Sequence, residues 1–204
     1  MDCDIRPYHN FGFSPTNHAG GEPGEIGGVV WRIEEGYPEQ AGYYADRIGR
    51  LTMAHKLKAE GKISMVRAVT DSAVLFGWFN SQTHIGAPPR NFIGIMIEGP
   101  SRVGHYFRPV YSNLRGERGG INQGPIILPN AEKHNWTLYY YPNASDGQGR
   151  ITVSLDDETV SLELGPGVRK AQALFDRFGI VSYQRGGHYV DIYLDEVSYV
   201  VRQN

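Results

Sequence analysis

The sequence predicts an all-β protein, a two-sheet antiparallel β-sandwich with at most one or two short helices. Three observations predict it. Short stretches of alternating apolar and polar residues recur along most of the chain, separated at near-regular intervals by Gly, Pro, Asn and Asp. The 26 glycines, 12 prolines and 13 tyrosines among 204 residues suit pleated strands joined by many turns. Long helical patterns, which would accompany a parallel α/β sheet, are nearly absent. A chain of this length fits one core.

Taken in order, residues 1–24, ending in NHAGGEPG, show neither helical nor strand period and are expected to be an irregular arm, leaving 25–204 as the folded domain. EIGGVVWRI reads as a strand, and YYADRIG followed by LTMAHKLKAEGKISMVRAV as two more, with a turn at Gly61. SAVLFGWFNS, NFIGIMIEG, HYFRPVYSN, NWTLYYYPN, GRITVSLDD, ETVSLEL and HYVDIYLDEVSYVV supply the remaining strands. VRKAQALFDRFG, preceded by GPG and closed by Gly179, is the one expected helix. GAPPRN and the glycine-rich NLRGERGGINQGP read as surface loops, and the second is long enough to cover one end of a binding groove.

Composition excludes several function classes. A formal charge of -2 lacks the basic excess of a nucleic-acid binder. No run approaches the roughly 18 apolar residues of a membrane-spanning helix. The polar start MDCDIRPYHN lacks the apolar centre of a signal peptide, so the chain is expected to be soluble. With Cys3 as its single cysteine, the chain forms no internal disulfide framework.

The C-terminal half has an aromatic strand, a Gly/Asn/Asp turn and a hairpin in NWTLYYYPNASDGQGRITVSLDDETVSLEL, then a Gly-Gly turn and a terminal strand in FDRFGIVSYQRGGHYVDIYLDEVSYV. This grammar resembles the concanavalin A-like lectin/glucanase superfamily. The resemblance implies a jelly roll whose concave sheet receives a poly- or oligosaccharide, in a monomeric module attached to other domains of an extracellular or periplasmic bacterial protein. It favours a non-catalytic carbohydrate-binding module. Two other readings stand beside it: a polysaccharide lyase or glycoside hydrolase of the same superfamily, and a structural accessory domain that binds no sugar.

Sugars present apolar C–H faces and polar edges, so their sites combine aromatic rings with hydrogen-bonding groups. Two segments have that mixture. In LFGWFNS, strand alternation puts Trp78 and Asn80 on one face, expected to be the groove, with Phe79 in the core. In IEGPSRVGHYFRPVYSN, Glu98, His105, Tyr106, Arg108 and Tyr111 lie close in sequence, with Tyr106 and Arg108 on one face and His105 and Tyr111 on the other. Arg108 and Glu98 also suit a structural ion pair, and Pro109 points to an edge or a bulge.

The E-x-D-x-x-E strand of laminarinase-like glucanases is missing. Jelly-roll alginate lyases combine a Q-x-H strand with a later Y-F-K-A-G-x-Y-N segment, and the chain has Gln82-Thr83-His84 followed by Tyr106-Phe107-Arg108-Pro109-Val110-Tyr111-Ser112-Asn113. By that resemblance, Gln82 and Arg108 would neutralise a uronate carboxylate while His84, with Tyr106 or Tyr111, moves the proton. In the lyases, however, the second segment lies close to the C-terminus. No cofactor is required. By analogy with calcium sites in related modules, Glu25 and Asp195 would hold a structural Ca2+; two unrelated surface carboxylates are the other reading.

Overall fold

The computed structural model describes residues 2–5, 9–13, 29–33, 39–69, 72–86, 88–99, 104–185 and 189–202, and within these ranges the side chains from 43 to 181 and from 189 to 200. Two antiparallel sheets enclose a common core. The eight-stranded sheet runs β1 (Asp2–Ile5), β4 (Glu39–Thr52), β14 (Leu174–Arg185), β6 (Ala73–Phe79), β7 (Phe92–Glu98), β8 (His105–Ser112) and β10 (Ile126–Ile127), with β9 (Arg118–Gly120) also paired to β8. The seven-stranded sheet runs β13 (Glu158–Glu163), β12 (Arg150–Leu155), β11 (Lys133–Tyr141), β5 (Lys56–Ala68), β15 (Val190–Arg202), β3 (Val29–Ile33) and β2 (His9–Phe13). The expected β-sandwich is therefore the fold.

The core forms where the inward residues of the two sheets meet. Phe76, Trp78, Ile93, Ile95 and Phe107 come from one sheet and Trp136, Leu138, Tyr140, Ile151 and Val153 from the other, all buried. Across the interface the Phe76 and Trp136 rings meet edge to face, 4.9 Å between centroids. Pro109 costs the sheet no ladder bond. Phe107 N–H points away from β7, donating to Pro125 O at 2.8 Å, so Pro109, two residues on, turns its missing donor to the gap between β10 and β9.

Three sequence expectations need correction. The segment expected to be a helix is a 3-10 turn at Arg169–Ala171 followed by β14. Gln172, at φ +59°, breaks the helical path, and pairing on both sides, to β4 and β6, then outweighs the local helix propensity. Gly61 is not a turn either. β5 runs through it unbroken, because the partner strand β15 bulges between Asp195 and Ser198 and a Cβ at Gly61 would lie 2.9 Å from Asp195 O. Within the expected irregular arm, Asp2–Ile5 and His9–Phe13 are strands, paired with β4 and β3.

Candidate active site

Directly paired residues of a sheet share a face, so the ladder registers map the outward face of the eight-stranded sheet. Along its midline lies a row of small residues: Ala45, Gly179, Gly77 and Gly94, continued by Val110 and Gly120. A Cβ on Gly94 would sit 2.2 Å from Phe76 O, and one on Gly179 2.2 Å from Tyr44 O, so glycine is obligatory at both. Over this row lie the aromatic residues of the rows beside it. Tyr43 meets Phe79 edge-on at 5.3 Å, and the β6–β7 loop folds back to set His84 edge-on against Tyr43 at 5.1 Å. Tyr43, Leu75, Phe79, Phe92, Met96 and Val181 are buried there as a second apolar cluster, so the middle of the face is closed.

Towards the β8 side the face opens into a cleft lined by Pro88, Met96, Glu98, Arg108, Val110, Arg118, Gly119, Gly120, Ile121 and Asn122. The glycine-rich loop expected to cover one end of a groove supplies its far wall. Arg108 is fixed by its neighbours, Met96 Sδ at 3.8 Å among them. One terminal nitrogen donates to Ile121 O at 2.9 Å, and the other donates to the Glu98 carboxylate. Its side chain is 17% exposed against 36% for Glu98, so the guanidinium is tucked in and the carboxylate lies nearer solvent. Tyr106 pairs with Glu98 across the ladder and shares the outward face with Arg108. Glu98 is the one carboxylate lining the cleft among the described residues, whereas glycoside hydrolysis of the usual kind needs two.

The structure brings together Glu98, Tyr106 and Arg108 of the expected residues and separates the others. Trp78 faces inward, 0% exposed, against Phe178, and not into the groove as alternation in LFGWFNS suggests. The phase is set by the glycine row, which needs Gly77 outward and in register with Gly94 and Gly179. Asn80 is a turn residue whose Oδ1 accepts the Gln82 N–H at 2.9 Å. His84 is buried beside Tyr43 on the β6–β7 loop, and it is not among the residues that line the cleft. Its Nδ1 donates to Ser81 O at 2.7 Å. Tyr111 is in the core.

His105 is fully buried, with Nε2 2.9 Å from Ser72 Oγ. Since the Ser72 hydroxyl already donates to Val69 O at 2.8 Å, His105 is the donor in that bond. Burial holds its pKa below the ordinary 6.5. Of the expected calcium pair, Glu25 lies outside the described residues. Asp195 is buried at the β15 bulge, one carboxylate oxygen accepting the Glu196 N–H at 2.8 Å. No group of three or more His, Cys, Asp or Glu side chains among the described residues is arranged to hold a metal ion.

The segment whose local pattern favours a helix carries a further resemblance in its strand form. In β14, Arg177-Phe178-Gly179 shares with the Lys-Ala-Gly centre of the lyase segment a cation and, two residues on, a glycine. Two residues after that glycine, where the lyase segment carries its second tyrosine, stands Val181, buried in the apolar cluster. That position therefore carries no hydroxyl, and the polar side chains over the centre of the face, Tyr43, His84 and Arg177, are buried.

No protein-family model matches the chain, and no curated protein matches it. Solved structures do. The family 7 alginate lyase A1-II′, in complex with product, is 12% identical with a TM-score of 0.53, covering 98% of this chain and 85% of that one. The marine family 7 alginate lyase AlyA1 from Zobellia galactanivorans is 11% identical with a TM-score of 0.51, covering 98% and 95%. The preference for a non-catalytic binding module is corrected by these neighbours, which are polysaccharide lyases. The chain carries the concanavalin A-like jelly-roll fold, in a form similar to that of alginate lyases.

Proposed function

We propose that the protein is a polysaccharide lyase that cleaves a uronate-bearing polysaccharide by β-elimination in the cleft between β7, β8 and β9. The observation that supports it best is the placing of Arg108 and Arg118 on the walls of one outward cleft, with Tyr106 beside Glu98 on the same face. The fold it shares with alginate lyases supports it too.

In this reaction a proton leaves the carbon next to the carboxylate, a C=C bond forms, and the glycosidic C–O bond breaks. The proton ends on the leaving oxygen, so no other reactant is needed. Arg108 and Arg118 would neutralise the substrate carboxylate, which stabilises the charge developing on it. Tyr106 would carry the proton from carbon to oxygen. Glu98 would hold the Arg108 fork in place. A polymeric substrate of this kind fits action outside the cytoplasm.

The test is the ultraviolet absorbance of the conjugated unsaturated uronate released from a panel of polyuronates. Turnover should appear on at least one of them. Tyr106→Phe and Arg108→Ala should each reduce it about a hundredfold, the typical worth of a proton-transfer group or of one oxyanion donor. A folded wild-type protein that leaves the absorbance flat on the whole panel would defeat the proposal.

A further inference from the structure

The outward face of the seven-stranded sheet lies on the other side of the sandwich and takes no part in the chemistry above. Leu57, Ala59, Leu138, Tyr140 and Ile151 point into the core, so alternation turns Lys56, Lys58, Tyr139, Tyr141 and Arg150 outward. The Tyr139 and Tyr141 rings are parallel within 5°, with centroids 5.7 Å apart. Each has an ammonium group above it: Lys58 Nζ is 5.5 Å from the Tyr139 centroid and Lys56 Nζ 4.9 Å from that of Tyr141.

Two depressions meet at Lys56. One is lined by Lys56, Lys58, Tyr139 and Val200, and the other by Lys56, Tyr141, Pro142, Asn143, Ala144 and Arg150. Beside them runs a ladder of hydroxyls, with Thr137 and Ser154 2.6 Å apart and Thr152 and Ser161 2.9 Å apart.

The charges on this face narrow the ligand class. Lys58 pairs with Glu60 at 2.8 Å and Arg150 pairs with Glu163, while Lys56 has no carboxylate partner among the described residues. A phosphate-dense nucleic acid would meet Glu60 and Glu163 as well as the cations. A chain that alternates apolar ring faces with widely spaced anions suits parallel phenol rings, the Lys56 ammonium and hydroxyl donors at once. We infer that the Tyr139–Tyr141 face is an accessory binding surface for an extended anionic polysaccharide, which would tether the polymer on the side opposite the cleft. This inference concerns binding alone and does not depend on turnover in the cleft.

The test is affinity gel electrophoresis of the whole chain through alginate, polygalacturonate or a neutral β-glucan at low salt. A Tyr139→Ser/Tyr141→Ser variant and a separate Lys56→Glu variant should each lose about tenfold in affinity for the acidic gels. Both sites are outward-facing, and the single charge reversal keeps the test decisive if the double variant fails to fold. Arg108→Ala should keep most of the retention, and turnover of short oligosaccharides, if present, should be unchanged in the Tyr and Lys variants. Unchanged retention in Lys56→Glu, or equal retention on the neutral glucan, overturns the inference. Loss of retention only in Arg108→Ala does so as well, because the cleft would then be the sole site. Absence of turnover with retention lost in Lys56→Glu would defeat the lyase reading and leave this surface standing.

Discussion

Trp78 of β6 and Phe178 of β14 pack ring to ring at 4.8 Å between centroids, inside the sandwich. Trp78→Ala should therefore act on stability. Emptying so large a buried site typically costs about 3 to 5 kcal/mol. Chemical denaturation should show that loss, with polyuronate affinity unchanged in the fraction that stays folded.

His105 makes stability sensitive to acid. Its folded pKa lies below the ordinary 6.5 because burial disfavours the imidazolium, so as pH falls the unfolded chain takes up a proton first. Its stability is intact above about 6.5 and declines as pH falls from there towards the lowered folded value. Melting temperatures from neutral to mildly acid pH should fall less steeply in His105→Gln than in the wild type, whatever the variant's stability at neutral pH.

At the alkaline end, Tyr140 and Tyr199 should titrate late. Burial pushes both phenols up to about 12, helped in Tyr199 by the Asp46 carboxylate that its hydroxyl contacts at 3.0 Å. A raised acid pKa gives stability that is present below the unfolded value of 10 and lost as pH rises towards 12. Spectrophotometric titration should resolve late-ionising tyrosines, and Tyr199→Phe should remove one of them.

Replacing Arg108 by lysine separates charge from geometry. Lysine keeps the positive charge but cannot reach Ile121 O and Glu98 together with a planar fork. Arg108→Lys should melt within a few degrees of the wild type while its lyase turnover falls about tenfold or more, because a misplaced cation stabilises the transition state poorly. Equal turnover in the two proteins would show that charge alone suffices.

The strands are legible because Gly, Pro and Asn punctuate them, and alternation alone puts Tyr106 and Arg108 on one face, which the ladder shows to be the outward one. The face of LFGWFNS was not legible. Aromatics stand on both sides of that strand, and what fixes the phase is contact of Gly77 with Gly94 and Gly179, the last about a hundred residues away. β14 looked helical for a related reason: its extended form is imposed by β4 and β6, distant partners that local propensity does not register. The Tyr139–Tyr141 face was hidden too, since YYY carries no sign of which lysines will lie above its rings until the β5–β11 register is known.

β14 and β15, the last two strands in the sequence, sit within the sheets and not at their edges: β14 joins β4 to β6, and β15 joins β5 to β3. Neither sheet can be completed, then, until its own late strand, β14 or β15, is available to it. Before that, β4 and β6 expose unpaired edges, and β3 has no link to β5. Most of the pairing that matters is between residues far apart in the chain, a topology that folds slowly and leaves a nascent polypeptide exposed to misassociation. Any folding intermediate that lacks β14 or β15 therefore presents open sheet edges, and the sandwich closes only when both late strands dock.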